Sequence, residues 1–139
     1  MFTDKHKVTF LLDKSNLWIE KYLKSYDFKL NHKYNFKITK NVNLVKNQDI
    51  VFPLGYTKIL SENFLNHNKL TLIVHTSALP KNKGFAPLQY QILENKKKFY
   101  ISLIKADKEV DAGNIYLKEH FFLKGDELYE EIRYLQGRA

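Results

Sequence analysis

The feature that most constrains this chain is a repeated switch of hydrophobic period. Short β-branched and aromatic runs, too brief to be helices, alternate with stretches whose apolar residues recur every three or four positions. Lys7 to Leu12 reads as a buried strand. Asp13-Lys14-Ser15 then supplies a turn and a helix N-cap. Leu17, Trp18, Tyr22 and Leu23, with Ile19 and Tyr26 alongside, follow at helical spacing. Tyr34, Phe36 and Ile38 alternate, which predicts a peripheral, half-exposed strand. Gln48 to Pro53 is a further buried strand, and residues 57–66 carry Ile59, Leu60, Phe64 and Leu65 at helical spacing. Lys69 to Val74 is a β-branched strand with His75 directly after it. A loop from Thr76 to Gly84 leads to a short helix over Ala86 to Asn95, with Pro87 in its first turn. Phe99 to Ile104 and Asn114 to Phe122 read as strands joined by a charged loop ending at Gly113. Gly125-Asp126 opens a final helix to about Leu135.

Strands alternating with helices imply βαβ units, and hence an α/β three-layer sandwich. Its sheet is expected to be a mainly parallel, Rossmann-like twisted sheet of about six strands, with helices on both faces. With 139 residues, the chain is expected to be one domain over 1–139. Ligands of open α/β sheets bind beyond the C-terminal ends of the strands. Three segments fall at that edge: Gly55-Tyr56-Thr57, His75-Thr76-Ser77 and the loop through Asp111-Ala112-Gly113. The topology therefore brings a histidine and a carboxylate 36 positions apart towards one crevice.

Composition removes several function classes. The chain is 44% hydrophobic and 14% aromatic, which excludes a disordered segment. No apolar run approaches the ~18–20 residues of a membrane span, and Val8 to Leu12 is too short for a signal-peptide core, so a cytoplasmic protein with no membrane partner is expected. The absence of Cys removes disulfides, Cys-based zinc sites and thiol catalysis. A formal charge of +8 raises the question of an anionic partner, but Arg133 and Arg138 are the only arginines. Arg is the residue suited to bidentate phosphate and base contacts, so no nucleic-acid partner is expected. No His-x-x-x-His pair suggests a metal, and no Gly-x-Ser-x-Gly elbow suggests a serine hydrolase.

The segment His75-Thr76-Ser77-Ala78-Leu79-Pro80, followed by Gly84 and Pro87, resembles the signature loop of the folate-dependent formyltransferases. This is the family of glycinamide ribonucleotide transformylase and of the N-terminal domain of methionyl-tRNA formyltransferase. Two more stretches are similar to the family in order and spacing: Gly55-Tyr56-Thr57-Lys58-Ile59-Leu60-Ser61, and Val110-Asp111-Ala112-Gly113-Asn114-Ile115. Leu11 to Leu17 echoes the family's first strand-turn-helix. The resemblance implies that His75 and Asp111 are catalytic. It also implies that Gly55, Tyr56, Thr57 and Lys58, with the backbone of Lys108, Glu109 and Val110, hold the formyl donor 10-formyltetrahydrofolate.

The chemistry gives these residue types a reason to be present. Formyl transfer to an amine passes through a tetrahedral intermediate bearing an oxyanion and an ammonium that must lose a proton. A histidine can polarise the formyl oxygen or move that proton, and a neighbouring carboxylate can orient it.

The chain also departs from the family. Active members carry an Asn two residues before the His, whose amide donates to the oxyanion; here that position is Ile73. Loss of one such donor costs on the order of 10²–10³ in rate, so either another donor substitutes, such as Thr76, Ser77 or a backbone N–H, or the protein is slow or inactive as a formyltransferase. Asp13-Lys14 stands where the purine-pathway enzymes have a Gly-rich turn that approaches a phosphate, which argues against that role. The domain is shortened relative to the family's catalytic domains. Gly84-Phe85-Ala86-Pro87 resembles the short sugar N-formyltransferase-like branch. The expected acceptor is a small-molecule amine, an amino sugar on a nucleotide; the alternative is a catalytically degenerate binding protein of the same fold. A homo-oligomer is left open.

Overall fold

A computed structural model of the chain describes residues 5–27 and 32–139. The chain falls into two compact units, Met1–Leu72 and Ile73–Ala139, and the division lies inside one strand.

The first unit contains β1 (His6–Leu12), α1 (Leu17–Ser25), β2 (Tyr34–Thr39), a 3-10 turn (Val42–Leu44), β3 (Ile50–Leu54), α2 (Glu62–Asn66) and the start of β4 (Leu70–His75). Its strands pair in parallel. β1 runs beside β2 from His6↔Tyr34 to Leu11↔Thr39, and beside β3 from Val8↔Ile50 to Leu12↔Leu54. β3 pairs with β4 at Ile50↔Leu70 and Val51↔Thr71. Parallel neighbours need crossovers, and the intervening helices and turns supply them.

The alternation of strand side chains divides the apolar residues between two faces. Phe10 and Leu12 pack with Ile19 and Leu23 of α1, with Phe36, Ile38, Phe52 and Leu54 around them. Leu11 and Val51 face the other way, against Val45 and Phe64, with Leu60 and Leu65 at the margin. In this unit the sheet is thus covered on both sides.

The second unit holds the end of β4, α3 (Pro87–Leu93), β5 (Lys98–Lys105), β6 (Ile115–Phe122) and α4 (Tyr129–Arg138). β5 and β6 form an antiparallel pair from Lys98↔Phe122 to Leu103↔Leu117, with a register shift after Leu103. Leu88, Phe99, Ile101, Phe121 and Leu123 make its core, with Val74, Ile132 and Leu135 against them. The strand order in the sheet is β2-β1-β3-β4-β5-β6. The expected α/β sheet of six mainly parallel strands is what the chain forms, and β2 is its half-exposed margin.

Three helix boundaries differ from the reading of the sequence, each for a local reason. The cap of α1 is Asn16 rather than Asp13 to Ser15, and its side chain makes no capping bond because its amide reaches the Gly55 carbonyl instead. The helix expected over 57–66 begins only at Glu62. Ser61 caps it by accepting from the Phe64 N–H, while Thr57 is tied to Asp13 and Ile59 is 84% exposed. The last helix starts at Tyr129, not Asp126. Glu127 draws its carboxylate onto the Lys124 and Gly125 N–H groups and holds a turn there, with Gly125 at φ +113.

Candidate active site

β4 ends on His75, so the strand delivers the imidazole to the rim of the sheet. The side chain is 8% exposed, and the Asp111 carboxylate beside it is 7% exposed. His75 Nδ1 and Asp111 Oδ1 are 3.6 Å apart, within ion-pair range but longer than a direct hydrogen bond. On the other side of the ring, Nε2 lies 2.9 Å from the Asn82 carbonyl oxygen. A carbonyl only accepts, so Nε2 carries the hydrogen in this arrangement. A neutral ring then turns a lone pair towards Asp111, whereas a doubly protonated ring satisfies both acceptors. The imidazole is therefore placed between two acceptors.

Asp111 sits in the loop between β5 and β6 with φ +53, in the left-handed region that Asp and Asn enter more readily than most residues. That turn lets Oδ2 accept from the Gly84 N–H at 2.9 Å while Oδ1 faces His75. Gly113, two residues on, is required by close approach: a Cβ there would lie 1.7 Å from the Lys105 carbonyl oxygen. The histidine and the acid singled out from the sequence are thus brought together.

The hydroxyls expected to replace the missing amide donor are engaged elsewhere. Ser77 has no exposed surface, and its Oγ donates to the Lys81 carbonyl. Thr76 presents its hydroxyl to α4, where the Gln136 amide donates to it at 3.0 Å, and its carbonyl accepts from Gln91. Neighbouring residues at a strand end point to opposite sides, which is why Thr76 and His75 do not share a direction. Ile73 itself is half-buried in β4.

The other candidate residues lie on two loops, one in each unit. In the second unit, the Lys108 N–H donates to Asp107 and the Glu109 carbonyl accepts from the Ala112 N–H. Val110 presents an apolar side chain that is 57% exposed. In the first unit, Gly55 has φ +58, and its carbonyl accepts from Asn16 Nδ2 at 2.7 Å. Tyr56 is half-buried against the Leu11 and Val51 cluster, and burial together with the Asp13 charge pushes its phenol up. Thr57 donates both its hydroxyl and its N–H to Asp13 Oδ2, and Lys58 is exposed. Those donated hydrogen bonds hold the Asp13 carboxyl down at about 2. The tie from Asp13 and the Asn82 and Gly84 contacts were not read from the sequence. The only advance signal for the first is that the turns after two adjacent parallel strands must meet.

Among the described residues, no group of three or more His, Cys, Asp or Glu converges to hold a metal, and no helix is long and apolar enough to cross a membrane.

Comparison with known proteins identifies the family. The formyl transferase family matches residues 2–133. A methionyl-tRNA formyltransferase of Rickettsia felis is 34% identical over 96 residues, covering 67% of this chain and 32% of that protein. The chain thus spans about a third of the length of that relative. A methionyl-tRNA formyltransferase structure from Clostridium thermocellum superposes with a TM-score of 0.79 at 24% identity, covering 96% of this chain and 60% of that one. The formyltransferase PseJ from Anoxybacillus kamchatkensis, in complex with UDP-4,6-dideoxy-4-formamido-L-AltNAc and tetrahydrofolate, gives a TM-score of 0.59 at 19% identity, covering 95% of this chain and 68% of that chain. With its family match running over nearly all of the sequence, and with a histidine and an aspartate meeting beyond β4, the chain belongs to the formyl transferase family.

Proposed function

We propose that this protein transfers a formyl group from 10-formyltetrahydrofolate to a small-molecule amine, an amino sugar carried on a nucleotide, in the cytoplasm. The observation that carries the reading is the buried juxtaposition of His75 and Asp111, with Nε2–H of the ring on the side away from the acid. The donor, when bound, supplies a formyl carbon open to attack by the amine nitrogen. His75 Nε2–H donates to the formyl oxygen by exchanging the Asn82 carbonyl for it as acceptor. Asp111, which faces Nδ1, takes up the proton that the attacking amine sheds, directly or through water, and returns it to the folate nitrogen as the bond between that nitrogen and the formyl carbon breaks.

The residues present suit a folate. Val110 offers an exposed apolar surface directly before Asp111, and the loop backbone of Lys108, Glu109 and Val110 is proposed to meet the polar edge of the pterin ring. Gly55, Tyr56, Thr57 and Lys58 are proposed to contribute through their own loop, which Asp13 and Asn16 hold in place. A sugar nucleotide as acceptor draws support from the PseJ complex and from the scarcity of Arg, which disfavours methionyl-tRNA.

Ile73 supports a second reading, a binding protein of the same fold without turnover, because an apolar side chain replaces the amide donor. Purified protein is to be assayed with 10-formyltetrahydrofolate and a panel of amino-sugar nucleotides, alongside calorimetry with a folate analogue. Turnover that His75→Ala abolishes supports the transferase. Binding without turnover supports the second reading, and no binding of the analogue contradicts both.

A further inference from the structure

The segment that carries His75 into the site has no regular structure after Thr76, yet its backbone is buried. Ser77 is 0% exposed and Leu79 1%. Backbone groups hidden from water must find partners, and here a side chain from another strand provides them. Ser102, in β5, has no exposed surface and lies on the face opposite the Phe99 and Ile101 core. Its hydroxyl donates to the Ser77 carbonyl at 2.6 Å and accepts from the Leu79 N–H at 3.4 Å. From β6, Lys118 Nζ donates to the Leu79 carbonyl at 2.6 Å. Ser77 extends the chain of bonds by donating to the Lys81 carbonyl, and the next residue, Asn82, places its own carbonyl on His75 Nε2.

We infer that Ser102, with Lys118 beside it, is a positioning residue for His75, acting through the loop 77–82 rather than through contact with any reactant. The inference rests on the formyl-transfer reading. One hydroxyl pins two loop groups two residues apart, and one ammonium pins a third, so the path of the loop is set by the β5–β6 pair. The same pair carries the Asp111 loop between its strands. Both members of the catalytic pair therefore take their positions from a single rigid element. This accounts for a polar residue at the centre of the otherwise apolar strand Phe99-Tyr100-Ile101-Ser102-Leu103-Ile104.

The test compares Ser102→Ala, Lys118→Met and Lys118→Arg in the full chain, reading kcat, KM for the formyl donor, thermal melting and exchange of the Leu79 amide. In Ser102→Ala, the Leu79 amide is expected to exchange about tenfold faster or more, and kcat to fall about 10- to 100-fold with KM within about twofold, because the ring is misplaced rather than the donor site lost. Lys118→Met is expected to show the same split more weakly, and Lys118→Arg, which keeps the donor at an exposed position, to recover it. If Ser102→Ala does not fold, the Lys118 pair decides the matter alone. A wild-type kcat in Ser102→Ala despite a released Leu79 amide, a wild-type kcat in Lys118→Met where Ser102→Ala does not fold, or kcat and KM failing together in step with melting, overturns the role. Wild-type protein inactive on every amine overturns the formyl-transfer reading and this role together. Active wild type with unaffected variants overturns this role only.

Discussion

Replacing Gly113 with Ala tests whether the Asp111 loop is held as closely as described. The added Cβ would lie 1.7 Å from the Lys105 carbonyl oxygen and 2.8 Å from its carbon. Reaching the 3.0 Å that real Cβ atoms keep requires a shift of about 1.3 Å. The obstacle is backbone, so no side chain can rotate away. Lys105 N–H also donates to the Asn114 carbonyl at 2.9 Å, immediately after the glycine, and that bond is the first to be lost. Overpacking of this kind costs about 1–3 kcal/mol. Asp111 is two residues away, and its separation from His75 is already 3.6 Å, so a movement of this size takes the carboxylate out of ion-pair range. Misplacement of a catalytic group by about 1 Å costs on the order of 10² in rate. Urea denaturation followed by circular dichroism reads the first effect, and formyl-transfer kinetics the second. A Gly113→Ala protein with wild-type stability and wild-type rate would refute the close approach and the argument built on it.

Four other outcomes follow from the same structure. His75→Ala should lower kcat about 10²–10⁴-fold in steady-state assays while melting stays close to wild type, since the ring lies at a strand end outside the hydrophobic clusters. Gly55→Ala should destabilise the first unit by roughly 1–2 kcal/mol in denaturant titration, because φ +58 disfavours a side chain and the new Cβ meets Asn16 Nδ2 at 2.7 Å. Phe99→Ala, at a position with no exposed surface, should cost about 3–5 kcal/mol by the same method. Asp13 bears on acid stability. Its carboxyl is lowered from 3.8 to about 2 on folding, so the stability it contributes is present above pH 4 and lost as pH falls through 2. Melting temperature against pH should therefore drop less steeply across that window in Asp13→Asn than in wild type.

The strands were legible because each is a short apolar run bounded by breakers, and six such runs became the six strands of the sheet. Pairing of His75 with Asp111 followed from two sources, the topology that sends strand ends to one rim and the resemblance of three motifs in order. Helix starts were less legible. Ile59 and Leu60 fit a helical period, but the period does not register that Thr57 is bound to Asp13 or that Ser61 is a better cap. Asp126 likewise reads as a cap until Glu127 is seen bonding backward to Lys124 and Gly125. Contacts to the backbone, such as Asn82 on His75 or Ser102 on Ser77, were illegible for a different reason. They depend on the path of a loop rather than on residue type, and the only trace was a serine set among apolar neighbours.

Production of a formylated amine by the purified chain, followed by mass spectrometry with 10-formyltetrahydrofolate and an amino-sugar nucleotide, tests the central claim most directly. The account predicts a product heavier by one formyl group in place of hydrogen, formed by wild type and reduced at least about 10²-fold by His75→Ala. Equal product from wild type and His75→Ala would contradict it.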